Sequence, residues 1–231
     1  MESKGKLADA GRFNRQLSEN QHLRLKLLFW FVSMTVLCTC AIAQEETADY
    51  WMKKAIELRY RGSFEESAQA YDQALQIDPG NATLWIGKAL DLGTIGREKE
   101  SIKAYETALQ LTEETLKNDP QNATAWHRKG KILSNLGRED EASSAHETAL
   151  AASDQILERD AENSSALRIK AEALDSLGRW DESLQALDKV IEINPQDAIA
   201  WYNKSVVLNE LSRTTEADAA LAKAKELGYE G

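Results

Sequence analysis

Beyond residue 47, apolar and small residues return in one order five times, at intervals of 34 or 41 residues. The units run 48–81, 82–122, 123–163, 164–197 and 198–231. Their fourth position holds Trp51, Trp85, Trp126, Leu167 and Trp201. The eighth is small (Ala55, Ala89, Gly130, Ala171, Ser205), and the eleventh is Leu58, Leu92, Leu133, Leu174 and Leu208. Gly62, Gly96, Gly137, Gly178 and Ser212 stand at position fifteen, where a first helix must stop and turn. Each copy reads as two short helices that cannot bury their apolar faces alone. A period near 34 residues marks a helical solenoid, in which units bury those faces only against neighbours.

The pattern resembles the tetratricopeptide repeat. Unit one places Trp51, Leu58, Gly62, Phe64, Tyr71, Ala74 and Pro79 at the positions that carry that family's pattern. The resemblance implies an all-α fold: ten antiparallel helices in five pairs, stacked as a right-handed α-α superhelix. Small residues at position eight should face Ser67, Ser101, Ala142, Ser183 and Ala217, letting backbones approach. Pro79, Pro120 and Pro195 should end second helices, because proline lacks an N–H and clashes with the preceding turn. Ala161 stands where unit three should have proline, and unit four carries Trp180 at position seventeen but no tryptophan at four. Asn81, Asn122, Asn163 and Asp197 precede first helices and read as N-caps. Asn81, Asn122, Asn163 and Asn203 also open N-x-S/T triplets, acceptors for glycans in an exported chain.

Two departures stand out. Units two and three carry seven extra residues, roughly 111–117 and 152–158, late in the second helix. Seven residues add about two turns, roughly 10 Å, and return the helix to nearly the same face. Leu109, Leu116, Leu150, Ile156 and Leu157 should therefore continue the apolar stripe, with the two extensions packing on each other as a ledge. The second departure is lysine at position seven (Lys54, Lys88, Lys129, Lys170, Lys204) against glutamate at nineteen (Glu66, Glu100, Glu141, Glu182, Glu216). Antiparallel helices should pair these two rows within each unit.

Residues 1–43 differ from the rest. A leader with six basic and three acidic residues precedes 27–43, which holds no charge and closes Ala41-Ile42-Ala43. That describes a secretory signal peptide, with an uncleaved signal anchor through 27–43 as the competitor. Basic residues before the apolar stretch keep that side cytoplasmic, so residues 44–231, the repeat domain, are expected outside the cytoplasm, secreted or anchored at the membrane's outer face. Both cysteines, Cys38 and Cys40, lie in the apolar stretch, so a processed chain would hold no disulfide or thiolate metal site.

The chain's net charge is −10; removing the six basic and three acidic residues of 1–43 leaves −13. Such a surface repels phosphate backbones, which argues against nucleic acid as a partner. No catalytic constellation, cofactor motif or metal-ligand spacing is present, and the chain reads as a non-enzyme. His146 occupies position twenty-four, held by Tyr71 and Tyr105 in earlier units, and reads as packing.

The resemblance further implies a groove lined by first helices that binds extended peptides or helices. Its positions here carry Met52, Ile56, Ile86, Leu90, His127, Arg128, Lys131, Arg168 and Tyr202, alongside Glu172 and Val206. That reads as apolar at the start, basic in the middle and mixed at the end, suiting a peptide with apolar residues followed by an acidic group. The family's carboxylate-gripping set is absent, since of Met52, Ile56, Gly87, Thr124 and Arg128 only Arg128 fits. The expected function is a non-catalytic scaffold for a protein or peptide. The alternative is a structural protein of the envelope that forms homo-oligomers through its repeat ends or the ledge.

Overall fold

The computed structural model describes residues 47–229, and every regular element among them is α-helical. The helices are α1 (Ala48–Tyr60), α2 (Phe64–Ile77), α3 (Ala82–Thr94), α4 (Glu98–Asn118), α5 (Ala123–Asn135), α6 (Glu139–Leu157), α7 (Ser164–Ser176), α8 (Trp180–Ile193), α9 (Ala198–Glu210) and α10 (Thr214–Glu226). Odd-numbered helices are the first of each unit and even-numbered the second. Each packs mainly on its chain neighbours, so the ten form five pairs in series. The leader and apolar stretch of 1–43 lie outside the described residues. No helix among those described is long and apolar enough to cross a membrane.

Local chemistry sets the helix limits. The side chains of Asn81, Asn122, Asn163 and Asp197 accept backbone N–H groups of α3, α5, α7 and α9 at 2.9–3.1 Å, and Thr47 accepts one of α1 at 3.2 Å. Each such cap contributes about 1 kcal/mol. First helices end on a residue with positive φ: 77° at Gly62, 76° at Gly96, 72° at Gly137 and 70° at Gly178. Unit five makes the same turn with Ser212 at 58°, where a Cβ crowds the carbonyl.

The small-residue seam is present within each hairpin. Ser67, Ser101 and Ser183 donate their hydroxyls to the carbonyls of Ala55, Ala89 and Ala171 at 2.7–2.8 Å, so the polar groups of a close approach are satisfied. Leu92, Leu133, Leu174 and Leu208 are buried, whereas Leu58, at the edge of the described array, is half-buried.

The lysine and glutamate rows do not pair as expected. Lys88, Lys129, Lys170 and Lys204 reach back sixteen residues to Asp72, Glu113, Asp154 and Asp188 of the preceding second helix, at 2.5–2.8 Å. Glu100, Glu141, Glu182 and Glu216 instead hold Arg97, Arg138, Arg179 and Arg213 three residues earlier at 2.6–2.7 Å. The lysine row therefore joins one unit to the next. An arginine at the start of α4, α6, α8 and α10 reaches its glutamate first, leaving the lysine to the neighbouring unit.

The seven-residue insertions lengthen α4 to 21 residues and α6 to 19, against 14 for α2 and α8. Their stripe is only partly apolar. Leu109 and Leu116 are buried and Leu150 and Leu157 half-buried, but Ile156 is 37% exposed. Thr112 and Ser153 are fully buried instead, each donating its hydroxyl to the carbonyl four residues earlier. The extensions do not pack chiefly on each other either: α4 lies on α5 and α6 on α7, with Ala152 meeting Ala123 and Ile169. Beyond the first helix of its own unit, a second helix packs on the first helix of the next.

Candidate functional site

First helices α5, α7 and α9 surround a cavity of about 280 Å³. Its wall includes His127 and Lys131 from α5, Glu172 and Asp175 from α7, and Tyr202, Asn203 and Val206 from α9, above a floor that includes Leu187 and Val207. Pockets for whole small molecules run to roughly 300–1,000 Å³. This one matches a side chain or two.

The histidine is not the exposed cation the groove pattern suggested. Its residue is 6% exposed, and its ring lies 5.1 Å from the ring of buried His146. Room for that pair comes from Gly130, where a Cβ would stand 2.5 Å from the His146 ring. Burial, then the neighbouring His146, Lys131 and Arg128, push His127 down to about 3. Burial lowers His146 in the same way, aided by Lys131. The 3.3 Å approach of His127 Nε2 to Glu172 is thus a neutral imidazole beside a carboxylate, not an ion pair. Neither His127 Nδ1 nor His146 Nδ1 has a hydrogen-bond partner.

Acidic groups at the cavity are displaced upward. Burial raises Glu172, with Lys131, Arg168 and an Asn203 hydrogen bond pulling it back. Burial and then the charge of Glu210 raise Asp175, against Lys131. Lys131, with an exposed stem, is the cation shared by both. The expected basic middle is therefore a neutral histidine and one lysine facing two carboxylates. Tyr202 is braced from outside by Tyr229, whose ring stacks on it at 4.2 Å and 19°.

Of the residues named from the groove pattern, the structure brings His127, Lys131 and Tyr202 to this cavity. Arg168 acts on it through Glu172, and half-buried Arg128 through His127. The apolar set lies elsewhere. Met52 packs on the core of the first hairpin, Ile86 on the core around α4 and α5, Ile56 is half-buried and Leu90 is 40% exposed.

At the unit-one and unit-two junction, the first helices hold an ion pair between buried Asp91 and half-buried Arg59 that the sequence reading missed. Arg59 Nε meets Asp91 Oδ1 at 2.7 Å, its Nη2 donates to the Gly87 carbonyl at 2.6 Å, and the one Ser67 hydroxyl proton is shared between the Ala55 carbonyl and Asp91 Oδ2, 2.5 Å from Oγ. Tyr71 lies under the guanidinium, 5.5 Å away, and a Cβ on Gly87 would collide with its ring. The signal was an acid inside the apolar run Ala89-Leu90-Asp91-Leu92, where units three to five carry Ile132, Ala173 and Val207. Asp175 and Asn203, also missed, sit at groove positions twelve and six and were within reach of the same pattern. Among the described residues, no group of three or more His, Cys, Asp or Glu side chains is placed to hold a metal.

Three family models described as tetratricopeptide repeat match the chain, one over 80–155 and again 121–196, a second over 48–81 and a third over 176–228. No curated protein matches. Among solved structures the chain is similar to MamA (residues 41 to end) from Desulfovibrio magneticus RS-1, at 16% identity over 79% of this chain and 95% of that one, TM-score 0.39. It is also similar to YrrB, titled a TPR protein with an unusual peptide-binding site, at 24% identity over 82% of this chain and 91% of that one, TM-score 0.38.

Proposed function

This chain belongs to the tetratricopeptide repeat family, and on that premise we propose that it is a non-catalytic scaffold holding a polypeptide segment at the α5–α7–α9 cavity. The observation that carries the reading is the cavity's polar wall. Neutral His127 lines it with Glu172 and Asp175, two carboxyls raised by burial, beside a single lysine.

The wall also states what the segment carries. With His127 neutral, Lys131 is the wall's cation for an acceptor, while Glu172 and Asp175 ask for a donor. Val206 and Tyr202 cover an apolar body between them. The partner segment is thus apolar with a donor and an acceptor side by side. The proposal keeps the repeats outside the cytoplasm, on the strength of the basic leader and the uncharged 27–43, with that stretch either removed or retained as an anchor.

Charge reversal at two accessible wall positions tests it. Lys131→Glu and Asp175→Lys in the full chain should abolish capture of the partner from membrane extracts while sedimentation remains unchanged. Retained capture with altered self-association would replace this reading by the self-assembling one. Mass spectrometry of the mature N-terminus decides between cleavage and anchoring.

A further inference from the structure

The junctions between units share a clamp, and one junction lacks it. Trp85, Trp126 and Trp201 each donate the indole N–H to a carbonyl six residues earlier, that of Pro79, Pro120 and Pro195, at 2.8–3.0 Å. Over each ring stands the position-seven lysine, Lys88, Lys129 or Lys204, at 5.4–5.5 Å from the centroid. Between units three and four the tryptophan is Leu167, buried at 3%, and the proline is Ala161. Lys170 still occupies position seven and still bonds Asp154 at 2.6 Å.

The missing indole changes the surface in a specific way. Beside Trp85 lie two separate clefts. One is lined by Asp72, Leu75, Gln76 and the indole among others, the second by the indole with Lys88, Glu100, Lys103, Ala104 and Thr107. Allowing for the seven-residue insertion, the residues at the equivalent places in the later junction are Asp154, Leu157, Glu158 and Leu167, then Lys170, Glu182, Gln185, Ala186 and Lys189. All of these line one continuous cleft of about 510 Å³. Trp85 is the partition between two clefts, and at Leu167 the partition is gone.

We propose that the Leu167 cleft, formed with α6 and α8, is a receptor slot for a tryptophan side chain of a partner polypeptide. The occupant's chemistry is read from the three filled junctions. Leu157, Leu167 and Ala186 supply the apolar walls, the Lys170 ammonium is placed to stand over a ring, and the Ala161 carbonyl occupies the place that accepts an indole N–H. A tryptophan offers a large apolar body with one donor, which is what this combination satisfies. With Asp154 held by Lys170 and Glu182 by Arg179, the Glu158 carboxylate at the rim favours a basic residue beside that tryptophan. The slot is separate from the α5–α7–α9 cavity and stands whether or not that cavity binds a segment.

The test uses the full chain with isotope-labelled leucine methyls and two probes, an unstructured peptide containing Lys-Trp and the same peptide with alanine for tryptophan. The tryptophan peptide should shift the Leu157 and Leu167 methyls saturably and the alanine peptide should not. Leu167→Trp, which restores the partition, should weaken binding at least tenfold. Lys170→Met, which keeps the stem and removes the cation, should weaken it several-fold and guards against a folding artefact in the first variant. Saturable shifts that survive in Leu167→Trp, or no saturable response to the tryptophan peptide in the unsubstituted chain, would overturn the proposal.

Discussion

The junction of units one and two and that of units three and four are built from the same positions, yet one is closed and the other open. In the first, the Trp85 indole, with Lys88 over it, divides one side into two clefts while Arg59, Asp91 and Ser67 fill the other with satisfied polar contacts. In the second, Leu167 leaves a cleft on one side, and buried His127, with His146 behind it, borders a cavity on the other. The closed junction directs its polar groups inward to one another, so it contributes stability and offers little to a ligand. The open junction forgoes contacts of its own and retains places for a partner.

The sharpest way to break this contrast is to open the closed junction. Asp91→Ala leaves the Arg59 guanidinium and the Ser67 hydroxyl without their carboxylate, and should cost about 3–5 kcal/mol in denaturant unfolding. Replacing both ends with apolar side chains, Arg59→Met with Asp91→Leu, should restore much of that loss. Breaking a buried pair costs more than never having made it.

Acid should act on the open junction. His127 and His146 are held neutral when folded, so the unfolded chain binds protons that the folded one refuses. Their contribution is complete above the free-histidine value of about 6.5 and is lost as pH falls, for His127 toward about 3. For His127 the slope approaches about 1.4 kcal/mol per pH unit, and His146 adds in the same direction. Glu172 and Asp175 run in the opposite direction, since their raised carboxyls gain stability on protonation, but only in and just above the carboxylate range. Unfolding midpoints should therefore fall steeply just below pH 6.5, and His127→Leu should flatten that limb while leaving neutral stability intact or higher.

Smaller effects sharpen the comparison. Gly87→Ala pushes a methyl into the Tyr71 ring and should cost about 1–3 kcal/mol by thermal unfolding. Ser212→Gly relieves the positive φ that the other units assign to glycine, and should raise stability by up to about 1 kcal/mol. Lys204→Gln, which removes an exposed bridge to Asp188, should change it by only about 0–1 kcal/mol.

Much of this was legible in the chain. Helix number, the two elongated second helices and the capping role of Asn81, Asn122, Asn163 and Asp197 all follow from interactions spanning a few residues. A cap bonds an N–H two or three places on, and a glycine turn closes over six residues. Those forces act alike whatever the neighbouring unit does. The position-twenty serine seam was equally readable, because a hairpin's two helices meet in a register set by one short turn.

What the sequence did not decide is which of several suitable partners each side chain meets across a junction. Lys88 had Glu100 in its own unit and Asp72 in the previous one, and only the stacking of units chose Asp72. His127 carried the label of a groove cation until His146 leaned over Gly130 and took it out of water. Asp91 found Arg59 from 32 residues away. Repetition along the chain determined the rods and their turns, since those rest on near neighbours in sequence. Charge state, ion-pair choice and the two open spaces were decided by tertiary packing, because desolvation and side-chain reach depend on distances that no local pattern contains.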